Sequence, residues 1–139
     1  MEKPVIPASL LFIEDHSGES DNIMRKFNAV KLRNTISFAS SSQQAREMLS
    51  SLNAENCPDL ILFDLHIPAK EIKLHLDSVM SVSVCKNVSV IIFVDSELDE
   101  EILRLAGVTY YFLRRPFDIQ KLLQIILQAD RFGTIIVKS

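Results

Sequence analysis

The chain has 139 residues, enough for one domain with a buried core, and a hydrophobic fraction of 47% against 24% charged residues excludes general disorder. Fifteen basic and eighteen acidic residues leave a net charge of −3, so there is no global pull toward nucleic acid or an anionic membrane. No stretch reaches membrane-spanning length and no apolar leader follows the N-terminus, which makes a cytoplasmic protein the expectation.

After an arm containing Pro4 and Pro7, Leu10 to Ile13 form an apolar run that ends in Glu14-Asp15 and a turn-forming His16-Ser17-Gly18. Helical spacing of Ile23, Phe27 and Val30 follows, and Thr35 to Ala39 alternate like a short edge strand. Ser41 and Gln44 have the form of a capping box, opening a helix with Ala45, Met48, Leu49 and Leu52 on its buried stripe. Leu60 to Phe63 read as a strand buried on both faces, and the run stops at Asp64. Beyond Pro68, Ile72, Leu76, Val79 and Met80 mark a weaker helix.

Val88 to Val94 predict a fourth buried strand running into Asp95-Ser96-Glu97. A short helix with Leu98, Ile102 and Leu105 then stops at Gly107, a residue suited to the left-handed position. Thr109 to Leu113 predict a fifth strand, followed by Arg114-Arg115-Pro116-Phe117. Asp118 is placed to cap a last helix carrying Ile119, Leu122, Leu123, Ile126 and Leu127, whose apolar face is broader than one core stripe needs. That excess suits a partner or homodimer surface formed with the fifth strand. Thr134 to Val137 in the tail could form a small strand.

Five strands alternating with five helical segments predict an α/β fold: a doubly wound parallel sheet in the flavodoxin-like order 2-1-3-4-5, with helices on both faces. The expected division is an arm over 1–8, a domain over 9–130 and a tail over 131–139. In this order the switch point lies between strands one and three, and a ligand crevice there would gather Glu14, Asp15 and Asp64. The bland alternative for Asp64 is a plain strand cap or turn residue. Crowded carboxylates need a compensating cation, and Mg²⁺ fits the donor type. Arg115, at the end of the fifth strand, is placed to neutralise a phosphoryl oxygen, with Asp64 itself as the group that carries the phosphoryl. Its alternative is an ordinary salt-bridging residue.

Cys57 and Cys85 lack a CxxC spacing, and two reduced structural thiols are expected. His16, His66 and His75 have no partners at zinc-ligand spacing, and three glycines form neither a dinucleotide fingerprint nor a P-loop.

The stretches Leu10 to Asp15, Leu60 to Pro68 and Phe112 to Phe117, in this order and spacing, resemble the signature segments of two-component response-regulator receiver domains, and the resemblance runs from about Ser9 to Asp130. It implies a stand-alone, cytoplasmic signalling protein rather than an enzyme. Asp64 would take a phosphoryl group from a histidine kinase or phosphotransfer protein, and Asp15, Asp64 and the His66 carbonyl would hold Mg²⁺ with help from Glu14. The His66 side chain is expected to face solvent. The chain departs from the family pattern at Val94 or Asp95, where receivers carry a phosphoryl-binding hydroxyl. It departs again at Arg115 in place of lysine, at Ile72 in place of glycine, and at Phe112 in place of the commoner tyrosine. These departures keep open a pseudo-receiver that binds partners without phosphorylation. A Mg²⁺-dependent phosphohydrolase ranks below both, because such enzymes want a second acid where His66 stands.

Overall fold

The computed structural model describes residues 9–15, 35–53, 56–82, 85, 88–108, 110–115 and 121. Along them run β1 (Ser9–Glu14), β2 (Thr35–Ala39), α1 (Ser42–Ser50), β3 (Leu60–Asp64), α2 (Ala69–Ser81), β4 (Ser89–Val94), α3 (Glu97–Leu105) and β5 (Tyr111–Arg114). The expected helix over Ile23 to Val30, the last helix, the arm and the tail lie outside the described residues.

All strands pair in parallel, in the order β2-β1-β3-β4-β5. The continuous apolar runs occupy the middle of the sheet, where β1, β3 and β4 bury every residue except Ser9 and Ser89. The alternating segments lie at the edges: Ser37 of β2 and Tyr111 of β5 are exposed while Ala39 and Leu113 are buried. On one face Ile13, Phe63 and Ile92 join Leu49, Leu76 and Leu103 from α1, α2 and α3 in a single core. On the other, Phe12 stacks against Phe38 and Phe93 at 5.9 and 5.7 Å between ring centroids.

Local sequence sets the helix ends. Ser41 Oγ accepts from the Gln44 N–H at 3.0 Å, and the Gln44 side chain reaches back to the N–H of Ser40, a capping box displaced by one residue. Ser41→Ala is expected to cost about 1 kcal/mol in a urea titration, and Ser41→Gly only a few tenths. Gly107 adopts φ +91°, so that its N–H reaches the Arg104 carbonyl and the Val108 N–H the Leu103 carbonyl, a Schellman closure of α3. Where receivers have a loop glycine, Ile72 lies within α2 and is buried. The helix starts directly after Pro68, and the Ile72 N–H returns to the Pro68 carbonyl at 3.3 Å.

In α3, Leu103 fills the core with Ile102 partly buried beside it, while Leu98 and Leu105 are 63% and 82% exposed. Spacing identifies an apolar stripe but leaves open which flank of a short helix meets the sheet. Cys57 and Cys85, expected as free thiols, are joined in a disulfide. They lie in the segments leading into β3 and β4, whose parallel pairing brings their amino ends together across a sequence separation of 28 residues. At that same end Asp59 ties three strands: its carboxylate accepts from the Ser9 N–H, its own N–H donates to the Ser9 carbonyl, and its carbonyl accepts from the Ser89 N–H.

Candidate functional site

The site lies at the opposite, carboxyl end of the sheet. The β1–β3 register places Glu14 directly beside Asp64, and both are buried, at 7% and 3% exposure. Two neighbouring carboxylates removed from water need positive charge close by.

Arg115 supplies it. Its N–H donates to the Val94 carbonyl at 2.8 Å, extending the β4–β5 ladder by one bond and turning the side chain across the strand ends. The guanidinium lies against Asp64 Oδ1, at 2.8 Å from Nε and 2.7 Å from one terminal nitrogen. That same nitrogen donates to the Leu65 carbonyl, and the other donates to Asp95 Oδ1, both at 3.0 Å. One guanidinium thus spans the ends of β3 and β4. Burial pulls its pKa down, but the Asp64 and Asp95 carboxylates outweigh burial and hold it above its ordinary value.

Asp15 engages a different partner. Its carboxylate accepts from the His66 N–H at 2.9 and 3.1 Å and lies 3.1 Å from His66 Nδ1. The His66 ring stands between Asp15 and Asp64, with Nε2 at 4.0 Å from Asp64 Oδ1, on a residue that stays exposed at the edge of the site. The cause is local: the chain turns after β3, and this N–H, past the last strand residue, finds its acceptor on the end of β1. As to Mg²⁺, Glu14 and Asp64 stand together, and Asp15 is hydrogen-bonded to His66. Among the described residues no three His, Cys, Asp or Glu side chains gather as a metal-holding group.

The hydroxyl that receivers place after strand four is absent. Val94 is buried in the sheet and Asp95 faces Arg115. The Ser96 hydroxyl is engaged as the N-cap of α3, accepting from the Asp99 N–H at 3.2 Å. Arg114 points elsewhere, forming a two-nitrogen pair with Glu100, and Phe112 lies beneath Arg104 at 5.4 Å. Pro116 and Phe117 lie outside the described residues. The partner that sequence reasoning missed is Asp95. The signal was available in the strand order, which puts the residues following β3, β4 and β5 side by side.

No family model matches the sequence, and no curated protein matches it. Solved structures do. The bacteriophytochrome response regulator AtBRR superposes with a TM-score of 0.76 at 16% identity, over 96% of this chain and 99% of that one. The chain has the receiver fold. A second bacteriophytochrome response regulator, RtBRR, gives 0.77 at 17% identity over 96% of this chain and 84% of its own. A two-component response regulator from Legionella pneumophila gives 0.67 at 23% identity, over 88% and 97%. In receiver terms the carboxylates of β1 and β3 occupy the switch point between those strands, where this order opens its crevice. No helix among the described residues is long and apolar enough to cross a membrane.

Proposed function

We propose that the chain is a single-domain response regulator that accepts a phosphoryl group on Asp64 from a histidine kinase or phosphotransfer protein and signals through protein contacts in the cytoplasm. The observation that carries this reading is Asp64 itself: a buried carboxylate at the switch point with a guanidinium already on its Oδ1. A carboxylate oxygen of Asp64 attacks phosphorus and forms the acyl-phosphate P–O bond. The donor's P–N bond breaks, and the departing imidazole takes a proton from solvent. Arg115 is positioned to follow the negative charge from the carboxylate to a phosphoryl oxygen.

Glu14, Asp15, Asp64 and the His66 carbonyl would hold Mg²⁺: Glu14 stands beside Asp64 in the sheet, and the Asp15 carboxylate has lone pairs beyond those that accept from the His66 N–H. When bound, the ion supplies further positive charge for the phosphoryl oxygens. On this reading the chain is a phosphoacceptor and not an enzyme with a separate substrate.

A second reading, a pseudo-receiver acting by constitutive binding, is favoured by Asp95, a carboxylate where a phosphoryl-binding hydroxyl would stand. One experiment separates them. Incubation with acetyl phosphate and Mg²⁺ is expected to add one acid-labile phosphoryl group by intact mass, and Asp64→Asn to abolish it. Absence of label on the wild-type chain would leave the pseudo-receiver.

A further inference from the structure

Arg115 is shared between two carboxylates of unequal standing. The Asp64 side chain is 4% exposed and its contact is the shorter, at 2.7 Å; the Asp95 side chain is 71% exposed and its contact is 3.0 Å. The contact to the Leu65 carbonyl is to backbone and fixed by the chain. Of the three partners, Asp95 is the one that can leave into water at little desolvation cost.

We propose that Asp95 is a resident counter-ion whose expulsion reports the charge state of Asp64: it occupies Arg115 until a phosphoryl group arrives, then gives up the guanidinium and carries the start of α3 outward. This rests on the phosphoacceptor reading above. A phosphoryl group brings a charge of about −1.5 to −2 and three strong acceptor oxygens, against the single charge of the carboxylate it modifies. Arg115 turns its terminal nitrogens to that group because paired hydrogen bonds to phosphate are the stronger arrangement. Asp95, left beside a doubly charged neighbour without its cation, is repelled.

The displacement has a direct path into α3. The Asp95 N–H donates to Asp99 Oδ2 at 3.2 Å, and the Asp99 N–H donates to the Ser96 cap. Asp95 and the first turn of α3 are thereby one hydrogen-bonded unit, and Leu98, already exposed, moves with it. The motion runs outward by repulsion, where a hydroxyl at this position would be drawn inward by attraction.

The test is hydrogen exchange on the full chain, with and without acetyl phosphate and Mg²⁺, alongside intact mass to score the label. In the labelled wild type the amides of Asp95 and Asp99 are expected to exchange about tenfold faster, as local opening of the cap requires. Asp95→Asn, neutral and not repelled, should lose most of that change when the two proteins are compared at equal label by intact mass. Asp95→Ser, able to donate to the phosphoryl group, should reverse it to slower exchange. A fully labelled wild type with unchanged exchange at Asp95 and Asp99 would overturn the proposal and leave phosphate acceptance standing, as would an Asp95→Asn response equal to wild type. An unlabelled wild type overturns both.

Discussion

Arg115→Ala is expected to destabilise the chain by about 3 kcal/mol, the low end of what breaking a buried ion pair costs, since the Arg115 side chain keeps 16% exposure. The loss arises mainly from what remains: a buried Asp64 that has lost the guanidinium on its Oδ1. Arg115→Lys should recover only part of it, because an ammonium on a flexible stem does not present the planar fork that meets Asp64, Asp95 and the Leu65 carbonyl at once. In an Asp64→Asn background the alanine substitution should cost markedly less, and the difference between the two urea titrations measures the coupling. The pKa of Arg115 is raised in the fold, so the pair's contribution is complete below the unfolded-state value and fades only in strong alkali. Neutral pH changes should leave it intact.

The second large effect lies at the other end of the sheet. Loop-closure entropy for a cross-link spanning 28 residues amounts to about 3–4 kcal/mol, so reduction, or Cys57→Ser with Cys85→Ser, should lower stability by that amount and the melting midpoint by roughly 10 °C. Scanning calorimetry with and without reductant checks it. Labelling of Asp64 by acetyl phosphate should survive in the reduced protein at temperatures where it remains folded. The bridge lies before β3 and β4 and the acceptor after β3.

The sheet was legible because its physics is local and repetitive. Unbroken apolar runs at Leu10, Leu60 and Val90 mark strands buried on both faces, alternation at Thr35 marks an edge, and the strand count selects the order. That order brings Glu14 beside Asp64 and leaves the end of β5 where Arg115 can reach Asp64. What escaped depends on contacts between loops, which no periodicity encodes. The Cys57–Cys85 bridge joins segments that become neighbours only once β3 and β4 pair. The His66 ring meets Asp15 because a turn presents its N–H there, and Asp95 was recognised as hostile to phosphate without being seen as a partner for Arg115. In α3 the apolar pattern did not say which residues meet the sheet: Leu103 and Ile102 do, while Leu98 and Leu105 are exposed.

Asp59 and the disulfide give the sheet an asymmetric mechanical character. At the amino end β1, β3 and β4 are riveted together, by a covalent bond between the last two and by the Ser9–Asp59–Ser89 bonds across all three. The central strands therefore behave as beams clamped at one end. β4 cannot relieve a push at its tip by sliding along β3, because the rivet blocks translation. Among the described residues, a push at Asp95 therefore acts on the unclamped carboxyl tip of β4 and on the first turn of α3 bonded to it.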